Sequence, residues 1–191
     1  AELVERSSGT RSRWTVSILC DSENWRGLAE KLLTTHEVDY CSLITGIHWP
    51  DGPEEKKWEV VYHFLRTGIK NPPEIDGIQQ PIITDPTAVK GKLVPLEIEV
   101  CIPIPDTRTP MVASVQDLWI GADWNEKETW DLVGIDFEGH KGMRRVLQPH
   151  ETPTGYHPLQ KHHNIRYHGF EEMYDDAQGF SRKPDDVGKV K

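Results

Sequence analysis

The sequence predicts an α+β domain with a small mixed or antiparallel sheet and flanking helices, followed by a long irregular C-terminal arm. Up to about residue 148, segments with the alternating pattern of half-buried strands occur between segments with helical spacing. From residue 149 to residue 191 this periodicity is lost, and Gly, Pro, His and charged residues dominate. We therefore expect an α+β domain at residues 1–148 and an extended arm at residues 149–191 that docks on partner proteins.

The first half of the chain is typical of strand, helix, strand and strand. "RWTVSILC" has a strand composition, and Asp21 or Ser22 is placed to cap the helix "ENWRGLAEKLLTTH". Trp25 and Leu32 recur in that helix at the spacing of one face. "YCSLITGIHW" and "KWEVVYHFLR" predict two strands joined by the turn "PDGP".

The second half begins with a proline-rich segment, residues 68–91, which predicts a long surface loop inserted between two strands of a hairpin. "LVPLEIEVCIPIP" alternates with a period of two and predicts the next strand, and "DTRTPMVAS" predicts a turn. "SVQDLWIGADWNEKETWDLVG" predicts a helix that Ser114 caps and Gly134 ends. Asp117 would lie in its first turn, and Gly121 would mark a break.

Composition argues against several classes of function. The net charge of -9 and the pI of about 5.5 are unlike those of a nucleic-acid binder, and they disfavour unaided binding to an anionic membrane. No apolar run approaches the roughly 20 residues of a membrane-spanning helix, so we expect a soluble polypeptide. Cys20, Cys41 and Cys101 lie in apolar stretches without a C-x-x-C pair, which predicts buried, reduced thiols.

The highest density of charge lies at residues 124–149, where either a catalytic site or a structural junction would fit. Glu126, Glu128 and Asp131 could supply a general acid and a general base. Glu126 and Glu128 are two positions apart, however, so only one of them can face inward on a helix. We therefore expect one of these glutamates to pair with Arg144 or Arg145, which makes the stretch a structural junction.

Histidines suggest two further hypotheses. His140 lies between two glycines and could present its imidazole to a substrate in a stand-alone hydrolase, although a histidine there more often fixes the turn. A metal-binding module is the second hypothesis, but the spacing of its histidines does not match H-x-x-x-H; they are His157, His162, His163 and His168. Neither glycine-rich phosphate-binding motif is present, so we do not expect this chain to bind a nucleotide.

The stretch "RTPMVASVQDLWIGADWNEKETWDLVGIDFEGHKGMRRVL" resembles the signature of the 30-kDa (C-type) subunit of respiratory complex I, the proton-pumping NADH:quinone oxidoreductase. That family's pattern reads W-x-E-R-E-x-x-D-[LM]-[FY]-G-I-x-F-x-G-H-P-x-L-x-R-[IL]-L. The matching residues are Trp124, Glu126, Glu128, Asp131, Gly134, Ile135, Phe137, Gly139, His140, Arg145 and Leu147. The resemblance is strongest over residues 58–147, outside the proline-rich loop.

The chain departs from the family pattern at several positions. Lys127 stands where the family usually has Arg, and Lys141 stands where it usually has Pro. The family's arm usually reads G-x-P-L-R-K-D-Y, whereas this chain has "GYHPLQKHHN". Gln160 therefore replaces an Arg and cannot make the bidentate pairing of a guanidinium with a carboxylate. Either the partner surface has changed to match, or the chain comes from a divergent branch.

The resemblance implies a protein without flavin, iron–sulfur cluster or quinone, since FMN, the clusters and quinone lie in other subunits of the complex. It implies packing in the peripheral arm against the 49-kDa (D-type) subunit. It also implies contact with the membrane only through the complex, on the cytoplasmic face of a bacterial inner membrane or the matrix side of a mitochondrial one. The residues that we assign to structural and partner-binding roles are Glu126, Glu128, Asp131, Gly134, Gly139, His140, Arg144, Arg145, Pro158, Leu159 and Lys161. The alternative is the equivalent subunit of a related membrane-bound hydrogenase or F420-type dehydrogenase.

Overall fold

A computed structural model describes residues 1–8, 11–67, 74–75, 78–79 and 95–162. Among these residues it contains two α-helices, α1 (Ser22–Thr34) and α2 (Ile120–Val133), and a short 3-10 helix (Glu54–Lys56). The strands are β1 (Glu2–Ser8), β2 (Arg11–Leu19), β3 (Tyr40–His48), β4 (Trp58–Arg66), β5 (Glu74–Ile75), β6 (Ile78–Gln79), β7 (Leu96–Ile104), β8 (Met111–Ala113) and β9 (Asp136–Glu138). The predicted α+β class is confirmed.

The main sheet has five strands in the order β1-β2-β7-β4-β3, and every pair is antiparallel except β2 with β7. The alternation predicted for β7 is confirmed, because Ile98, Val100 and Ile102 are buried. Strands β4 and β7 are antiparallel neighbours, so the proline-rich segment does connect two strands of a hairpin. Only the short β5–β6 pair of that segment lies within the described residues.

Both helices pack on the same face of the sheet. The ring of Trp25 in α1 lies 4.2 Å from that of Tyr62 in β4. Helix α2 contacts Gly46 of β3, and Gly46 faces the same side as Tyr62 because it pairs with Val60. A Cβ at Gly46 would lie 2.9 Å from Thr129 Cγ2, so only glycine allows the helix to approach this closely.

The predicted start of α2 is wrong by several residues. The helix begins at Ile120, and the chain before it forms a turn in which the Leu118 N–H donates to the Val115 carbonyl at 3.0 Å. Ser114 is not its N-cap, because its hydroxyl donates to a carboxylate further along the helix. Asp117 does not lie in the first turn either. Its carboxylate binds Arg26 of α1 at 2.7 Å, and this hydrogen bond lowers the pKa of Asp117.

Five of the strands were not predicted: the two-residue β5 and β6 of the proline-rich segment, and β1, β8 and β9, whose sequences carry little pattern. The polar N-terminal residues form β1, which lies at one edge of the sheet. The segment predicted as a turn at residues 106–114 contains β8, which pairs in parallel with β9. Three residues are too few to show an alternation, so only the long-range pairing defines these strands. No helix in the described part of the chain is both long and apolar enough to cross a membrane.

Candidate functional site

Asp131 joins the last turn of α2 to the chain that follows it. The residue is fully buried, and Arg145 Nη1 donates to its Oδ1 at 2.7 Å. Three consecutive backbone N–H groups donate to its Oδ2, from Val146 at 3.0 Å, Leu147 at 2.8 Å and Gln148 at 2.9 Å. Burial alone would raise the pKa of Asp131, but these N–H groups and Arg145 lower it. The carboxylate is therefore held in its charged form.

Arg145 connects this carboxylate to the arm. Its Nη2 donates to the carbonyl oxygens of Pro153 at 3.0 Å and Tyr156 at 3.2 Å, and its guanidinium lies 5.6 Å from the centre of the Trp130 ring. The predicted partner of Arg145 was a glutamate, and this prediction is wrong, because the partner is Asp131. Glu126 instead accepts hydrogen bonds from Ser114 and Val115. Arg144, the other predicted partner, is exposed.

The arm also caps the C-terminal end of α2. The last carbonyl groups of a helix have no partner within it. Here three arm groups donate to three consecutive carbonyl oxygens: the His157 Nδ1–H to Asp131 (3.0 Å), the Leu159 N–H to Leu132 (2.9 Å) and the Gln160 amide to Val133 (2.8 Å). We call residues 145–162, which make these contacts and those of Asp131, the clasp.

Gly134 ends the helix as predicted, with a left-handed backbone (φ +84°) and an N–H that donates to the Trp130 carbonyl at 2.9 Å. A Cβ at this position would lie 2.7 Å from the His157 ring, so glycine also makes room for the clasp. Gln160 lacks the charge that the family's Arg would bring. Its amide nevertheless supplies a neutral donor for the Val133 carbonyl.

The last described residues of the clasp reach the end of β3. The Lys161 N–H donates to His48 Nδ1 at 3.0 Å, so this nitrogen carries no proton. The His48 ring stacks on Trp58 with 4.1 Å between centroids, and burial lowers its pKa. Pro158 is half-buried beside these contacts. Residues 149–162 of the predicted arm thus lie against the chain's own domain, whereas residues 163–191 lie outside the described residues.

Glu126 is the glutamate that faces inward, and Glu128 is half-buried, so the prediction that only one of them points inward is confirmed. The Ser114 hydroxyl donates to Glu126 at 2.6 Å, and the Val115 N–H donates at 2.8 Å. Burial raises the pKa of Glu126, and these two hydrogen bonds offset only part of that effect, so the pKa is about 7. Glu126 thus fixes the turn before α2, as Asp131 fixes the chain after it.

His140 lies near Glu126 and fixes the turn after β9. Its side chain is only 1% exposed, and its Nε2 is 3.3 Å from the Asp123 carbonyl oxygen and 3.9 Å from the Glu126 carboxylate. Gly139, just before it, has a φ of +82° that only glycine adopts without strain. A buried imidazole that contacts the backbone is poorly placed to meet a substrate, which favours the turn-fixing interpretation over the hydrolase.

Comparison with known proteins supplies the family. Residues 18–169 match the family model described as "Respiratory-chain NADH dehydrogenase, 30 Kd subunit". The chain belongs to this family. It is 34% identical over 145 residues to the C-type subunit of the NADH-quinone oxidoreductase of Agrobacterium fabrum, a match that covers 73% of this chain and 52% of that protein. The resemblance stated from the sequence is therefore confirmed.

Two further proteins resemble this chain, one in part of its sequence and the other in its fold. It is 51% identical over 65 residues to the C/D-type subunit of the NADH-quinone oxidoreductase of Gluconacetobacter diazotrophicus, covering 34% of this chain and 10% of that protein. The matches thus span from a tenth to about half of the length of these curated relatives. A chain of an archaeal membrane-bound sulfane sulfur reductase shares the fold, with a TM-score of 0.57, 16% identity, and coverage of 99% of this chain and 91% of that chain.

The family motif divides into two groups in this structure. Most of its residues hold the fold, as described above for the acids, the glycines and Arg145, and Ile135 and Phe137 lie in the core. The second group faces outward: Trp124 is 50% and Leu147 is 54% exposed, and Glu128 is half-buried. The inward group thus includes Glu126, Asp131 and Arg145, whereas Asp136, Glu138, Lys141 and Arg144 of the same stretch are exposed.

One polar constellation was not predicted. Ser42 lies at a β-bulge in β3, where its hydroxyl is 2.8 Å from His63 Nδ1 and donates to the His63 carbonyl at 2.8 Å. His63 Nε2 is 2.6 Å from Glu97. These atom types are those of a catalytic triad, but the Ser42 proton is directed to the backbone carbonyl. We interpret the hydroxyl as replacing a ladder hydrogen bond that the bulge removes. The bulge carries no signal in the sequence.

No group of three or more potential ligands is close enough to hold a metal ion within the described residues. Since His163 and His168 lie outside them, the histidine-cluster hypothesis remains untested. All three cysteines are free, as predicted, but only Cys41 is buried, whereas Cys20 and Cys101 are half-buried. Burial raises the pKa of the Cys41 thiol to about 12, so it is an inert core residue.

Proposed function

We propose that the chain is a cofactor-free structural subunit in the peripheral arm of a proton-translocating NADH:quinone oxidoreductase. It packs against the 49-kDa-type (D) subunit and supports electron transfer from NADH to quinone without taking part in the chemistry. The complex lies on the cytoplasmic face of a bacterial inner membrane or the matrix side of a mitochondrial one, and this chain contacts the membrane only through the complex.

This proposal rests on the observation that the charged residues of the motif bind other groups of the same chain. Glu126, Asp131, His140 and Arg145 each make their polar contacts within the chain, at the turns and helix ends that they fix. Groups bound in this way are not available to a substrate. The motif therefore serves a structural junction, and the fold leads out of that junction into the arm.

The relative from Gluconacetobacter diazotrophicus supports the choice of partner. The matching region belongs there to a protein whose name joins the C type and the D type, and we infer that the two share one polypeptide in that organism. Subunits that are joined in one organism are expected to lie side by side where they are separate. A long arm with scattered apolar residues also fits a large obligate interface, on the order of 2,000 Å² or more.

The test is Arg145→Ala in the assembled complex, with Arg144→Ala as the matched control. Removing one partner of a buried ion pair costs about 3–5 kcal/mol. We expect Arg145→Ala to reduce the amount of assembled complex, measured by native electrophoresis, while quinone reduction per assembled complex stays near normal. The exposed Arg144 should tolerate alanine. Normal assembly with loss of quinone reduction would instead assign the junction to the chemistry.

The alternative is the equivalent subunit of a membrane-bound hydrogenase or F420-type dehydrogenase. The replacement of the usual arm residues by Gln160, His162 and His163 is the observation that favours it. Mass spectrometry of the purified assembly separates the two proposals, because it identifies the subunits that receive electrons. NADH-oxidising subunits support the first, and hydrogenase or F420-binding subunits support the second.

A further inference from the structure

We propose that the outward face of α2 is the surface that binds the D-type subunit, and this inference rests on the proposed function. Ile120 is 96% exposed and Trp124 is 50% exposed. They are four residues apart on α2, so they lie on the same face of the helix, one turn from each other. Single exposed apolar residues are ordinary, but a fully exposed isoleucine next to a tryptophan is the beginning of an apolar patch.

The patch lies beside the edge strand β3. The Trp119 indole N–H donates to the Val38 carbonyl at 2.9 Å, and a Cβ at Gly121 would lie 2.8 Å from the Cys41 carbonyl oxygen. The start of α2 therefore lies directly on the start of β3. Tyr40 pairs with Leu65 and therefore faces the other side of the sheet, so Trp124 is the exposed aromatic residue of this patch. Tyr and Trp are the residue types that most often dominate the binding energy of protein interfaces.

The other end of α2 leads to the exit of the arm. The helix has 14 residues and is about 21 Å long. At its C-terminal end the clasp holds Leu147 and Leu159, both about half exposed, through backbone N–H groups that bind Asp131 and Leu132. We call the surface formed by Ile120, Trp124, Leu147 and Leu159 the outer stripe. The described chain ends beside it at residue 162, and residues 163–191 continue from there.

The point at which the arm continues beyond residue 162 indicates which partner binds the outer stripe. The Gluconacetobacter relative joins the D type and the C type in its name, and the proposed arm of this chain binds the D-type subunit. A partner engaged by a segment that begins at one end of the outer stripe is brought against the stripe itself. Glu128 lies one turn from Trp124 on the same face of α2, and Lys127 before it is paired with Asp123, so the stripe has an acidic group at this point. The matching surface of the D-type subunit is therefore apolar with a basic group opposite Glu128.

The experiment uses the full chain co-expressed with the D-type subunit. Ile120→Asp and Trp124→Glu alter the outer stripe. Trp14→Glu and Leu19→Asp are the controls, because these residues are 56% and 73% exposed but lie on β2, which β7 and β4 separate from β3. We expect each stripe variant to lower the amount of captured D-type subunit about tenfold, and each control to change it less than about twofold. Circular-dichroism melts of the isolated variants verify that all four are folded.

A photo-crosslinking amino acid at position 124 supplies a readout that does not depend on affinity. We expect it to form an adduct with the D-type subunit, whereas the same amino acid at position 14 does not. If the wild-type chain captures the D-type subunit and the stripe variants capture it equally well, or the adduct forms with another subunit, the inference is wrong and the proposed function stands. If the wild-type chain captures no D-type subunit, the proposed function fails as well.

Discussion

The sheet with its helices and the clasp are held together by different means. Between the sheet and α1, apolar side chains such as Trp25, Tyr62 and Phe64 contact one another, with ring centroids 4.2 to 6.1 Å apart. At the clasp, by contrast, one carboxylate and three helix carbonyls receive donors from residues 145–160. Apolar contacts are non-directional and numerous, whereas each polar contact of the clasp needs one particular atom.

The two regions should therefore be sensitive to different kinds of substitution. In the apolar layer, truncating a side chain leaves a cavity, and the cost rises with the volume that is lost. In the clasp, the loss of one group leaves a buried partner without a hydrogen bond, and that partner bears the full desolvation cost. The clasp should therefore respond to small chemical changes that leave volume almost unaltered.

Asp131→Ala should have the largest effect. It removes the acceptor for Arg145 and for three backbone N–H groups, so we expect the free energy of unfolding to fall by about 3–5 kcal/mol. Urea denaturation measures this change. Glu128→Ala, a half-buried acid in the same helix, is the control and should change stability by less than about 0.5 kcal/mol. If the two substitutions lowered stability equally, Asp131 would contribute no more than an ordinary acid on the helix surface, which would contradict the proposed role of the clasp.

Glu126 predicts a dependence of stability on pH. Its pKa is raised from 4.5 to about 7 by burial, so the folded chain binds this proton more tightly than the unfolded chain does. The resulting stability is fully present below pH 4.5 and is lost as the pH rises to about 7. Its size is about 3 kcal/mol, at about 1.4 kcal/mol per pKa unit.

Glu126→Gln should abolish this contribution. The difference in free energy of unfolding between the wild type and the variant, measured by urea denaturation at pH 5 and pH 8, isolates Glu126 because the other groups titrate in both proteins. We expect the variant to gain stability relative to the wild type at pH 8. A difference that does not change with pH would mean that Glu126 is not desolvated in the folded chain.

The two regions also differ in how much of their structure could be predicted from the sequence. Strands β2, β3 and β4 follow from their composition, strand β7 from its alternation and helix α1 from its helical spacing, because a buried apolar face leaves these local signals. The inward position of one glutamate and the αL end of α2 at Gly134 also follow from local spacing. The partner of Arg145 does not. Asp131 lies 14 positions before Arg145, and local spacing does not distinguish it from the other three acids of the same helix.

The start of α2 was missed for a related reason. Ser114 and Asp117 have the side chains of a helix N-terminus, but Glu126 and Arg26 bind them instead. Such competition between local and distant partners depends on the tertiary structure and leaves no mark in a local window. Residues 149–162 of the clasp were likewise assigned to the arm, because they lack periodicity. In the structure they lie on the domain.

Gln160→Met tests one capping contact of the clasp. The substitution keeps the length of the side chain but removes the donor to the Val133 carbonyl, so we expect a loss of about 1 kcal/mol in thermal or urea denaturation. Gln148→Met is the matched control, because the contact of Gln148 with Asp131 comes from its backbone N–H. A neutral result at residue 160 would show that water replaces the amide at this carbonyl.

Thr15→Val, in strand β2, should have the smallest effect, and it should increase the free energy of unfolding. The Thr15 hydroxyl is buried and has no hydrogen-bond partner among the described residues. Valine has the same shape, so we expect a gain of about 1 kcal/mol. Thr129→Val is the comparison, because the buried Thr129 hydroxyl donates to the Ile44 carbonyl at 3.1 Å, and its removal should cost about 1 kcal/mol. Changes of the same sign at both positions would contradict these hydrogen-bond assignments.

The capping of α2 by residues that follow it in the chain sets an order of events during synthesis. Strands β2, β3, β4 and β7 and helix α1 are all complete by residue 104, whereas the carbonyl at Val133 receives its donor only when residue 160 has left the ribosome. Domains form while the chain emerges, N-terminal parts first. The end of α2 is therefore the last part of the described fold to close, and a ribosome that stalls before residue 160 carries a finished sheet with an open helix end.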